Sequence, residues 1–166
     1  MIIIAVVILG GISGLYLFAY SKEKKTIEKL NEKKDTKAAL PLKLQAYERL
    51  VLLADRIALP NVISRVNNNT MSAKEMQVML SQTIKQEFEH NVTQQIYVSR
   101  EAWEAVRNLK EQNLLIINQV ASFLPENATG PDLNKSLLQV LMENPKASLH
   151  NIVSDALSYE AKKLMG

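Results

Sequence analysis
Hydrophobic and polar positions divide the chain into three stretches. From Ile2 to Tyr20 (IIIAVVILGGISGLYLFAY) no residue carries a charge. From Ser21 to Lys37 the chain turns polar and rich in lysine. Beyond Pro41 apolar residues return at spacings of three and four, the period of a helix buried along one side. At about 1.5 Å per residue the first stretch makes a helix of about 28 Å, against a hydrocarbon core of about 30 Å. It predicts one transmembrane helix.

The third stretch reads as helices throughout. Pro41 suits a first turn, and PLKLQAYERLVLLADRIAL then runs without a breaker to Pro60, which ends it. Tyr47, Leu50, Val51, Ala54 and Ile57 recur at helical spacing, and Leu52 and Leu53 extend the apolar surface, as in a helix buried nearly all round. A short helical segment from Pro60 to Val66 leads into a polar loop, Asn67 to Asn69. Ser72-x-x-Glu75 is a capping box, flanked by Met71 and Met76 as a hydrophobic staple. Met76, Leu80, Ile84 and Phe88 continue that helix's buried stripe. Val92, Thr93, Ile96, Tyr97 and Val98 favour extended or turn geometry, so a break is expected between His90 and Val98. Ser99 is the next N-cap, opening a helix from Arg100 to Leu124. Pro125 stops it, and Glu126 to Pro131 forms a loop. Asp132 is expected to cap a helix from Leu133 to Glu143. Asn144-Pro145 is expected to open the last helix, which ends near Leu164 with Leu149, Ile152, Val153, Ala156 and Leu157 on its apolar face.

The expected fold class is all-α. A transmembrane helix (residues 1–20) is followed by a Lys-rich juxtamembrane linker (21–40) and one soluble bundle of about five helices (41–166).

Charge sets the orientation. The linker carries seven lysines (Lys22, Lys24, Lys25, Lys29, Lys33, Lys34 and Lys37) against Glu23, Glu28, Glu32 and Asp35. Excess lysine beside a span marks its cytoplasmic side, so the N-terminus is expected outside and the helical domain in the cytoplasm. Tyr16, Phe18 and Tyr20 agree, because aromatic rings gather at the membrane boundary. A cleaved secretory signal would need basic residues before the apolar run, and here only Met1 precedes it. The linker accounts for the whole formal net charge of +3, leaving thirteen basic and thirteen acidic residues from Ala38 onward. A neutral domain has no electrostatic footprint for nucleic acid. The expected partners are the bilayer itself, through anionic headgroups that attract the linker lysines, and a second copy or another membrane protein.

Five residues stand out as candidate interaction positions. Gly10 and Gly14 form a GxxxG stripe that would let a partner helix approach closely. Ala102, Val106, Leu109, Asn113, Ile116, Val120 and Phe123 follow a heptad-like seam. Asn113 falls inside it, where a buried amide would fix register if the seam faced another chain; the plainer reading is an amphipathic helix in a monomeric bundle. Arg49 and Arg56 recur seven residues apart beside Glu48 and Asp55, a pattern of structural ion pairs that could also serve binding.

Little in the chain points to chemistry. Glu87-x-x-His90 is half of a di-iron pattern, and His150 has no matching glutamate three residues before it, so no metal site is expected. There is no cysteine, which also excludes a lipoprotein anchor, and no glycine-rich phosphate loop. No cofactor and no catalytic residue is expected.

The stretches LPLKLQAYERLVLLADRI and FEHNVTQQIYVSREAWEAV, with the N-terminal span and linker, resemble an uncharacterised family of short single-span membrane proteins of Bacteroidota-type bacteria. That resemblance implies an anchored helical domain at the bacterial inner membrane, with no established catalytic or ligand residues. The expected function is a non-enzymatic scaffold or accessory subunit at the cytoplasmic face. The alternative is a ligand-sensing or enzymatic domain whose site assembles only in the fold, from Glu87, His90, Arg49 and Arg56.

Overall fold
Six α-helices and one 3-10 helix make up the described residues, 38–143 and 149–166, of the computed structural model. Helix α1 covers residues 38–57. It is followed by α2 (Leu59–Val66), α3 (Ala73–Glu89), the 3-10 helix Val92–Ile96, α4 (Arg100–Phe123), α5 (Gly130–Glu143) and α6 (His150–Met165). The all-α expectation holds for these residues, with six helices rather than about five because the short α2 stands as its own element. None of the described helices is long and apolar enough to cross a membrane. The span and most of the linker expected from the sequence, with Gly10 and Gly14, lie outside the described residues.

Residues 42–166 form one compact unit. Its core is built from the stripes the sequence marks out: Leu50, Leu53, Ala54 and Ile57 of α1, Met76, Leu80 and Ile84 of α3, and Val106, Leu109 and Ile117 of α4 are fully buried. Hydrogen bonds give the helix directions. Tyr47 meets Ser99 and Ile57 meets Asn113, so α1 runs parallel to α4. Gln77 meets Asn118 and the Phe88 ring lies 5.0 Å from Trp103, so α3 runs antiparallel to both. Helix α6 packs on α4 and its Glu160 reaches Ser99, the residue before α4 begins. The preceding turns of α6 must therefore lie along α4, and its last turn projects past α4's start.

The capping box at Ser72 forms as expected, with both reciprocal bonds in place. A second one was not foreseen. Thr129, not Asp132, caps α5: the Thr129 N–H and hydroxyl donate to Asp132 Oδ2 (2.9 and 2.6 Å), and the Asp132 N–H donates to Thr129 Oγ1. Helix α5 therefore starts at Gly130, with Pro131 in a first turn that needs no proline N–H. The two boxes are joined by an isolated antiparallel bridge between Ser72 and Thr129. There the Gly130 N–H donates to the Met71 carbonyl at 2.7 Å, and a Cβ on Gly130 would lie 3.1 Å from that same oxygen. A side chain at position 130 would push the two helix starts apart.

The break expected between His90 and Val98 is present and takes the turn form, a 3-10 helix. One other expectation changes. On α6 the buried residues are Val153 and Leu157, with Leu149 packed against them, while Ile152 and Ala156 face outward. The expected start of that helix at Asn144-Pro145 lies outside the described residues.

Candidate functional site
Pro60 shapes the first polar cluster. A proline has no N–H, so the Arg56 carbonyl loses the bond it would receive four residues on. The Asn61 N–H turns instead to the Ala58 carbonyl, which leaves Ile57 without its helical donor as well. Side chains fill both vacancies at the end of α1, and a third bonds the Asp55 carbonyl, which already accepts the Ala58 N–H. Asn61 Nδ2 donates to the Asp55 carbonyl (2.9 Å), Arg65 Nη2 to the Arg56 carbonyl (2.7 Å), and Asn113 Nδ2 to the Ile57 carbonyl (2.7 Å).

This fixes the role of Asn113, which is 3% exposed. Its bond is made within the chain, as the plainer reading of the seam, an amphipathic helix in a monomeric bundle, requires. At the far end of the seam Phe123 is 87% exposed, beyond the reach of the core.

Arg56 is in an ion pair, as the sequence suggested, but with a different partner. Its Nε donates to Glu87 Oε2 (2.7 Å) and its Nη2 to Oε1 (2.5 Å), while Arg65 Nη2 lies 3.7 Å from Oε1. The bonds from Arg56 hold the Glu87 carboxyl below the usual carboxylate range, against the opposing effect of its partial burial. Asp55, the expected local acid, bonds Asn61 instead. Arg49 stays exposed on α1, two turns before Arg56, and His90 is exposed at the C-terminal end of α3. The alternative site therefore comes together only in part: Glu87 and Arg56 join, Arg49 does not. No group of three or more His, Cys, Asp or Glu side chains suited to a metal occurs among the described residues.

The sequence gives no direct sign of the second polar cluster. Ser99 caps α4, its Oγ accepting the Ala102 N–H at 3.0 Å. The same hydroxyl donates to Glu160 Oε2 at 2.6 Å, and the Tyr47 hydroxyl donates to that oxygen at 2.7 Å. Tyr47 Oη also accepts the Ser99 N–H at 3.1 Å. One carboxylate oxygen thus ties α1, α4 and α6 together. Burial, then the bond to Glu160, pushes the Tyr47 phenol above its ordinary value. A signal was present: Val153, Leu157, Glu160 and Leu164 keep the spacing of a buried stripe, and an acid on such a stripe needs partners. Structurally the cluster is a clasp that joins three helices through one carboxylate oxygen.

One open groove borders the second cluster, at Tyr47, Ser99 and Glu160, and another lies apart from both clusters. The larger, about 680 Å³, lies between α2 and α5 and is lined by Ile63, Asn67, Asn134, Lys135, Leu138 and Met142 among others. Within it Asn134 Nδ2 donates to Asn67 Oδ1 at 3.1 Å, while its own buried Oδ1 has no partner.

The fold and these clusters define a small all-helical domain whose polar groups mainly serve to close helix ends and join helices. The chain belongs to a family of unknown function, DUF7935, whose profile matches residues 1–164. Neither a curated protein nor a solved structure matches it.

Proposed function
We propose that the chain is a membrane-anchored, non-enzymatic interaction module: a scaffold or accessory subunit held at the cytoplasmic face of the inner membrane of Bacteroidota-type bacteria. The observation that carries the reading is the uncharged run Ile2 to Tyr20 followed at once by seven lysines, the pattern of a single span with its C-terminal side in the cytoplasm. The domain's own chemistry agrees with a binding role. Glu87, Arg56, Ser99, Tyr47 and Glu160 are engaged in bonds between helices, and Asn113 closes the end of α1. Gly10 and Gly14 provide a close-approach stripe for a partner helix in the bilayer.

The test is cross-linking in native membranes, then purification of the full-length chain in mild detergent. The reading expects a second copy or another membrane protein bound in fixed ratio, with the complex weakened by Gly10→Ile and Gly14→Ile. A chain recovered as a monomer without partners would contradict it.

A ligand-sensing domain is the second reading, favoured by the groove between α2 and α5. The Asn134 Oδ1 acceptor is buried with no donor, a cost that a donor-bearing ligand could relieve after a small side-chain rotation. Asn134→Leu separates the readings: it removes ligand-induced stabilisation in a thermal-shift screen if the groove is a binding site, and changes only the baseline melting temperature if it is not.

A further inference from the structure
We propose that one end of the bundle rests on an anionic lipid surface, so that the domain is oriented against the membrane and not merely tethered to it. This rests on the membrane-anchored reading above. The end in question is where α1 enters the domain, α3 gives way to the 3-10 helix, α4 begins and α6 finishes. The hydrogen bonds among Tyr47, Ser99 and Glu160 bring these elements to one level. Leu42 lies five residues before Tyr47 on a helix parallel to α4, and Met165 lies five residues after Glu160 on a helix antiparallel to it. At about 1.5 Å per residue both project roughly 7.5 Å beyond the clasp in the same direction.

Six of the fifteen large apolar side chains exposed on the described residues gather there: Leu42 (49%), Val92 (40%), Ile96 (71%), Tyr97 (38%), Leu164 (37%) and Met165 (62%). Basic residues surround them. Lys43, Arg49, Arg100, Lys162 and Lys163 stand at this end, against the exposed acids Glu48, Glu89 and Glu101. Apolar side chains ringed by lysine and arginine are what an interfacial surface needs, the first entering the headgroup boundary and the second meeting anionic lipid. Basic and acidic residues balance from Ala38 onward, so the basic surplus at this end is matched by an acidic surplus over the rest of the domain. A protein partner could cover an apolar patch anywhere on the domain. This patch lies where residue 42 receives the chain from the lysine-rich linker, which favours the bilayer.

The absence of cysteine makes the test direct. Full-length chain carrying a single dye-labelled cysteine, Ile96→Cys or Met165→Cys, is reconstituted into phosphatidylcholine vesicles with or without phosphatidylglycerol, containing lipid spin-labelled near the headgroup. Phe123→Cys, at the far end of α4, is the control. Docking predicts at least about twofold quenching at positions 96 and 165, little at 123, and relief when phosphatidylglycerol is omitted or Lys162 and Lys163 are both changed to glutamine. A chain that stays with the vesicles but shows no quenching at 96 and 165, or equal quenching at 123, overturns the docking and leaves the anchor standing. A chain that fails to stay with the vesicles overturns both.

Discussion

At Ile57 the backbone turns out of its helix, because Ala58 adopts φ −57° and ψ 128° and Pro60 follows. Its carbonyl is then buried in the core with one donor within reach, the amide of Asn113. Removing that amide leaves an unpaired acceptor, which costs about 1–3 kcal/mol. Asn113→Leu is therefore expected to lower unfolding stability by that amount in urea titration and to leave the oligomeric state unchanged by light scattering. A change in oligomeric state with no loss of stability would mean that the seam of α4 faces another chain. Asn113 also shows where reading by residue stops. Its place on a buried stripe follows from spacing alone, whereas its partner, 56 residues earlier, depends on how α1 ends.

The joints between helices carry the domain's sensitivity to pH. Glu87 is held below its ordinary value of 4.5 chiefly by Arg56, so the folded state gains stability above that value and loses it as pH falls through the lowered one. Glu75 and Asp132, in the two capping boxes, are shifted the same way by their hydrogen bonds and add to the acid limb. Glu87→Gln should cost roughly 1 kcal/mol at neutral pH and progressively less below pH 4.5, flattening the acid limb measured by circular dichroism. Tyr47 has the opposite sign. Its phenol is raised above 10.0, so its contribution is full below that pH and is lost as pH climbs through the raised value. Tyr47→Phe should lower stability by about 1 kcal/mol at neutral pH and remove the part of the alkaline loss that belongs to this residue. A Phe variant with an unchanged alkaline limb would show that the Tyr47 phenol is not raised in the folded domain.

At this scale the sequence was most readable where local chemistry decides. The Ser72 box, the Ser99 cap and the stripe Met76, Leu80 and Ile84 depend on neighbours within four residues, and they lie where the pattern puts them. The start of α5 was misplaced because Thr129-x-x-Asp132 is also a box, and the glycine and proline inside it resembled a loop. On α6, Ile152 and Ala156 share the helical period with Val153 and Leu157, so periodicity alone left two adjoining stripes to choose between. Packing against α4 chose the second. The Arg56–Glu87 and Tyr47–Glu160 pairs join elements 31 and 113 residues apart, which no local pattern encodes.

At the scale of the whole molecule, a helical domain whose polar groups bond one another is proposed to follow an N-terminal stretch that crosses a bilayer. The most direct test is a matched pair of C-terminal fusions to the full-length chain in a Gram-negative host, one to a fluorescent protein that matures in the cytoplasm and one to alkaline phosphatase, which works only outside it. The account predicts fluorescence in the membrane fraction, resistant to carbonate wash, and an inactive phosphatase. An active phosphatase, or a fluorescent fusion released into the soluble fraction, would contradict it.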